Sequence, residues 1–159
     1  MSDPRPSLLV RAVGSGLGSG YAPVASGTVA SALAALIYLI PGCERPAVLL
    51  PLIAITFAVG VPLATVMERH YGHDPAEVTI DEMVGMWISF LFLPKTLPVI
   101  ASAFLLFRVS DIVKPYPARV FDRMSGGFGI MMDDVVAAIY ANAVLQVLLL
   151  IDPVRQILL

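Results

Sequence analysis

The stretch from Arg108 to Asp134, RVSDIVKPYPARVFDRMSGGFGIMMDD, lies between two nearly charge-free arms. Lys95 is the only charge from Met83 to Phe107, and Val135 to Ile151 has none. Yet the stretch itself holds Arg108, Asp111, Lys114, Arg119, Asp122, Arg123, Asp133 and Asp134. Charge is costly among apolar segments, so charge concentrated there needs partners or a function. Acids and bases alternate, with glycines and prolines between them, a pattern that suits a site for a metal ion and a phosphate.

Composition says what surrounds that site. The chain has 159 residues and reads as a single domain, 1–159. It is 58% hydrophobic and 14% charged, against about 45–50% and about 25% in an ordinary soluble domain. Both departures point to an integral membrane protein. A net charge of −2 leaves no electrostatic footprint for nucleic acid. One cysteine, Cys43, excludes an internal disulfide and a cysteine-rich metal site. The N-terminus lacks the pattern of a cleavable signal peptide, and Met1 to Ser7 reads as a short mobile lead-in.

The expected fold is all-α: a compact helical membrane protein, its polar active-site loops gathered on one side. Gly14 to Thr28 reads as a small-residue loop, followed by a helix over Val29–Ile40 with Thr28 at its cap. The alternating Gly14, Gly16, Gly18 and Gly20 suit either an anion cradle or close helix packing. Pro46–Met67 is the clearest spanning candidate. Glu68–Thr79 reads as a loop, Thr79–Leu93 and Leu97–Lys114 as helices, and Ala118–Met124 as a short helix broken by Gly126, Gly127 and Gly129. Asp133 and Asp134 then open a last apolar helix to Ile151. If these helices pair as hairpins, Arg5, Arg11, Arg69, Arg108, Lys114, Arg119 and Arg123 share one side, against Arg45, Lys95 and Arg155 on the other. That bias makes the motif side cytoplasmic.

Two acidic pairs, Asp81-Glu82 and Asp133-Asp134, each precede an apolar run. Either pair alone reads as a helix-start feature. Together they are four carboxylates that repel unless a cation sits among them, and hard oxygen ligands suit Mg²⁺ or a similar ion. Arg108, Asp111 and Lys114 fall at i, i+3 and i+6, one helical stripe. Arg119, Asp122 and Arg123 repeat the alternation. A salt-bridge ladder explains the stripe structurally. Functionally, the bases clamp phosphate oxygens while the aspartates bind metal or orient partners. No nucleophile elbow and no phospho-aspartate motif is present, and His70 and His73 fall in a surface loop. Metal-assisted attack of water on a phosphate ester remains.

Three blocks, GSGLGSGYAPVASGT, DPAEVTIDEMVGMW and FRVSDIVKPYPARVFDRMSGGFGIMMDD, together resemble the phosphatidylglycerophosphatase A family from Gly14 to about Ala138. Ser26 and Ala30 stand where the family pattern favours proline and glycine. The resemblance implies a Mg²⁺-dependent lipid phosphatase of the bacterial inner membrane that converts phosphatidylglycerol phosphate to phosphatidylglycerol. It implies metal binding by Asp81, Glu82, Asp133 and Asp134. It implies phosphate contacts from Arg108, Lys114 and Arg123 with Gly27 and Thr28, and a catalytic set of Asp111, Lys114 and Asp122. Two alternatives remain: a CDP-alcohol phosphotransferase, whose pattern Lys114 and Ala137 break, and a non-enzymatic helical scaffold.

Overall fold

The computed structural model describes residues 5–159. Of the expected lead-in, residues 1–4 lie outside the described residues. The remainder is helical, and no strand occurs among the described residues. In chain order the helices are α1 (Leu8–Gly14), α2 (Ser26–Leu39), α3 (Pro46–Tyr71), α4 (Ile80–Phe90), α5 (Leu97–Val113), α6 (Ala118–Asp122), α7 (Gly127–Leu148) and α8 (Asp152–Leu158), with one 3-10 turn at Ser19–Tyr21.

A short helix, α4, occupies the centre. In α4, nine of eleven residues are buried, from Ile80 and Asp81 to Ser89 and Phe90. The helix packs on α7, α2, α3 and α5. Small residues make those approaches possible, as in membrane helix packing. A Cβ on Gly85 would lie 2.5 Å from the Phe107 ring and 3.3 Å from the Asp134 carbonyl. Ala30, Ala34, Ala64, Ala103, Ala137, Ala138 and Ala141 are all buried. The larger buried side chains fill what remains: Tyr38 stacks on Phe90 with ring centroids 4.5 Å apart. Some polar side chains are paired within the bundle. Trp87 Nε1 donates to the Ala34 carbonyl at 3.0 Å, and Asn142 Nδ2 donates to the Leu91 carbonyl at 2.8 Å.

Two helices, α3 and α7, are long and apolar enough to cross a membrane. At about 1.5 Å per residue, 26 residues of α3 extend about 39 Å. Its apolar stretch is mostly unburied by the rest of the chain, and Ile55 is 64% exposed. Such a surface suits acyl chains as its solvent. Pro51 and Pro62 lie within this helix without ending it.

Several expected boundaries move. α2 starts three residues before Val29, so Gly27 and Thr28 belong to its first turn and the N-cap is Ala25. α1 forms where no helix was expected, with Ser7 Oγ accepting from the Val10 amide. α3 runs on through Glu68 to Tyr71. The last apolar helix ends at Leu148 rather than Ile151, and Asp152-Pro153 opens α8 instead. The largest correction concerns Gly127 and Gly129, expected to break a helix: both lie inside α7. A Cβ at Gly127 would collide with the Val61 carbonyl, and the Gly127 amide donates to Thr65 Oγ1 at 2.8 Å. Glycine here permits contact between α7 and α3, and tertiary packing overrides its poor helix propensity.

Candidate functional site

With α7 starting at Gly127, Asp133 and Asp134 are its seventh and eighth residues, two turns from the end. They do not open the helix, and capping does not account for them. They are buried, at 5% and 3% exposure. Asp81 and Glu82 do lie in the first turn of α4, so a helix-dipole role is open to them. α5 brings Arg108 and Asp111 to the same end, and the 72–79 loop adds Asp74. Six carboxylates, Asp74, Asp81, Glu82, Asp111, Asp133 and Asp134, line one cavity of about 310 Å³ together with Lys114. Ser26, at the start of α2, completes its rim.

The bases divide these acids between them. Arg108 Nη1 donates to Glu82 Oε2, and Nη2 lies 3.3 Å from Asp111 Oδ2. Ser31 Oγ, on α2, also donates to Glu82 at 3.4 Å. Lys114 Nζ donates to Asp122 Oδ1, and to Asp133 Oδ2 at 2.8 Å, with Asp74 at 3.8 Å. Burial alone would lower the Lys114 pKa, but the hydrogen bonds to Asp122 and Asp133 outweigh it and hold the ammonium above its ordinary value. Burial pushes the Asp74 carboxyl up, against the pull of Lys114. Lys114 ends α5 in the left-handed conformation, φ 48° and ψ 66°.

Two acids remain incompletely satisfied. Asp81 Oδ1 and Asp134 Oδ2 are buried without a hydrogen-bond partner among the described residues. One oxygen each from Glu82, Asp111 and Asp134 lies within 4.8 Å of the others. Hard oxygens this close, with orphaned lone pairs beside them, fit a divalent cation. Asp111 therefore joins Glu82 and Asp134. Asp133 instead faces Lys114.

Other expected residues take different places. Gly27 lies against the site: a Cβ there would collide with Glu82 Oε1 and sit 3.1 Å from Arg108 Nη2. Thr28, one residue on, is exposed. Asp122 reaches the cavity only through Lys114. Arg123 is exposed and lines a different cavity with Tyr116, Arg119 and Val120. The alternating glycines resolve towards packing. The amides of Gly16, Leu17, Gly18 and Gly20 all donate to Val13, Ala12 or Ser15 carbonyls within the loop. Ser19 Oγ lies 3.0 Å from Thr79 Oγ1, and a Cβ at Gly20 would strike the Glu77 carbonyl. His73 lies in the expected exposed loop, yet its ring contacts Glu68 Oε1 at 2.8 Å and the Asp122 carbonyl at 3.1 Å.

The sequence reading missed Asp74 and Ser31. Asp74 sits between the breakers Gly72 and Pro75, close before Asp81, and that position was a usable signal. Ser31 had none, being one small residue in an apolar helix.

The family model described as Phosphatidylglycerophosphatase A matches residues 12–149. A Bacteroides thetaiotaomicron protein named "Putative phosphatidylinositol-3-phosphatase" is 38% identical over 151 residues, covering 90% of this chain and 95% of its own. The phosphatidylglycerophosphatase A of Escherichia coli is 37% identical over 134 residues, covering 82% and 77%. That of Haemophilus influenzae is 44% identical over 91 residues, covering 55% and 56%. No solved structure matches.

Proposed function

We propose, for a chain that belongs to the phosphatidylglycerophosphatase A family, hydrolysis of the terminal phosphomonoester of phosphatidylglycerol phosphate with the help of Mg²⁺. One observation carries the site assignment: carboxylates from α4, α5 and α7 converge in one cavity, and all lie inside the matched stretch. Glu82, Asp111 and Asp134 would hold the cation, with the unpartnered Asp81 beside them. When bound, such an ion supplies charge neutralisation and electrophilic assistance for phosphate-ester hydrolysis.

The chain's own groups supply the rest. Arg108 is positioned from two sides by Glu82 and Asp111, so its guanidinium points into the acids that surround the reacting phosphate. Its planar fork, shared here between Glu82 and Asp111, would turn to two phosphate oxygens when those carboxylates take up the cation. Ala25 provides no side-chain cap for α2. The first amides of that helix, at Ser26, Gly27 and Thr28, thus lack internal acceptors and suit an anion. The bare Cα of Gly27 lets this turn lie against Glu82 and Arg108. Lys114 keeps Asp122 and Asp133 neutralised, which limits repulsion among the acids.

The same reading places the protein in the bacterial inner membrane with the cavity facing the cytoplasm. Seven basic residues on the cavity side against three on the other support that orientation. The relative from Bacteroides makes the head group worth testing. The decisive assay is phosphate release by detergent-purified protein from phosphatidylglycerol phosphate and from phosphatidylinositol 3-phosphate, with Mg²⁺ or with a chelator. Turnover of the first, lost on chelation, is expected. A preference for the inositol lipid would overturn the head-group assignment, and turnover in chelator would overturn the role of the ion.

A further inference from the structure

Beside the acid-lined cavity lies a second one of about 500 Å³, bordered by Tyr116, Arg119, Val120 and Arg123. Its chemistry is the reverse of the first, with two arginines and no carboxylate at its border. Arg108 and Lys114 are already held by acids. Among the described residues, neither Arg119 nor Arg123 has a carboxylate at ion-pair distance. Arg119 Nη2 donates to the Val113 carbonyl, at 3.3 Å.

The cavity is built on anchored backbone. Tyr140 Oη of α7 donates to the Tyr116 carbonyl at 2.8 Å. At the other end, Asp122 is tied to Lys114 through its side chain and to His73 through its carbonyl. The surroundings are apolar and open: Ile112 is 73% exposed, Val113 58%, Tyr116 78%. Ile112 also lines the acid cavity. One short segment, 112–123, thus brings together an acid cavity, an apolar surface and a basic pocket.

A phospholipid bearing a phosphomonoester has the three matching kinds of part: a terminal phosphate, a phosphodiester and acyl chains. We propose that Arg119 and Arg123 hold the phosphodiester of the lipid substrate while its terminal phosphate lies among the carboxylates. This rests on the lipid-phosphatase reading above. Arginine forks match the two free oxygens of a diester, and the apolar border reduces competition from water. Tyrosine and arginine beside apolar side chains are the usual furniture of a membrane interface. Every glycerophospholipid with a head-group alcohol carries this diester, so the pocket selects such lipids over soluble phosphate esters and is blind to which head group it is.

The test is binding of monomeric short-chain phosphatidylglycerol, which has the diester and no monoester, to the full-length protein in neutral detergent. Arg119→Gln/Arg123→Gln should weaken it at least tenfold, and Arg119→Lys/Arg123→Lys should weaken it by less. In turnover, the glutamine variant should lose at least tenfold more kcat/KM on phosphatidylglycerol phosphate than on glycerol phosphate. Equal affinity in wild type and both variants would overturn the proposal. So would a loss confined to anionic vesicles and absent with the monomeric lipid, which would make the arginines a general membrane anchor. Failure of the wild type to release phosphate from the lipid would strike the phosphatase reading alone, because the binding measurement does not depend on it.

Discussion

Lys95 and Lys114 sit at opposite ends of the same bundle and do different things. Lys95 Nζ donates to Glu44 at 2.8 Å and to the carbonyls of Leu39 and Ile40, and it lies over the Tyr38 ring. One acid meets one base, and the base also satisfies carbonyls at the end of α2. Lys114 meets three carboxylates, and more line the cavity around it. Charge at the Lys95 end is balanced and closes a helix. Charge at the Lys114 end is in acidic excess, with buried oxygens lacking partners. A fold needs the first arrangement; the second suits a site that binds a cation. The contrast separates stability from function within one small chain.

The sharpest way to break this contrast is to neutralise an acid at each end. Asp134→Asn, Asp111→Asn and Glu82→Gln should each lower kcat at least about 100-fold, or about 2.7 kcal/mol of barrier, with helical circular dichroism retained. Glu44→Gln should leave kcat within about twofold. Comparable losses at both ends would mean that the acid cavity is not special.

Basic residues come next. Arg108→Lys keeps the charge and loses the fork, so about tenfold in kcat should go. Lys95→Ala should instead lower the melting temperature by a few degrees, the usual cost of about 1 kcal/mol in a domain of this size, with kcat intact. A full-rate Arg108→Lys enzyme would return that arginine to a structural role.

Glycines give a finer comparison. Gly27→Ala drives a methyl group into the Glu82 carboxylate, and a several-fold fall in kcat is expected with little change in melting temperature. Gly42, in the turn at the other end, has φ +97° and open space around it. Gly42→Ala should therefore cost about 1 kcal/mol of stability and no turnover.

The smallest effects are those of pH. The bond to Glu68 raises the His73 pKa, with the Asp122 carbonyl adding to it. A raised folded-state value means that this link stabilises fully below about pH 6.5, the unfolded value, and fades as pH rises through the folded one. His73→Gln should flatten the melting temperature over that alkaline window. Glu44 behaves oppositely: the Lys95 hydrogen bond lowers it to about 2. Its contribution is present above the ordinary value of 4.5 and disappears as pH falls towards 2. Identical pH profiles for wild type, His73→Gln and Glu44→Gln would remove both links from the stability argument.

The elements that sequence revealed best were those whose signal is local. The apolar run expected as a helix over Leu97–Lys114 gives α5, which ends at Val113 with Lys114 as its cap. The carboxylates were legible because charge between apolar runs stands out. Two things were hidden, both for want of a local cause. Gly127 and Gly129 look like breakers, yet they lie in α7, where Val61 and Thr65 of α3 press against the first and the Phe121 and Met124 carbonyls against the second. The pairing of Asp133 with Lys114, while Asp134 turns to Glu82 and Asp111, depends on how α7 is rotated against α4 and α5. Adjacent residues on a helix differ by about 100° around its axis, and no spacing in the sequence sets that rotation.

The backbone of Lys114 has a consequence for how this protein can evolve. A left-handed residue at a helix end is the place where glycine is easiest. Ala25, at the start of α2, has the same strain, with φ 52° and ψ 50°. A laboratory lineage selected for heat tolerance alone should accept glycine at both positions. Selected for growth that depends on the enzyme, it should accept glycine at 25 and keep lysine at 114, because its ammonium pairs with the carboxylates of both Asp122 and Asp133. The difference between the two lineages would mark which strained residues the fold merely tolerates and which the chemistry retains.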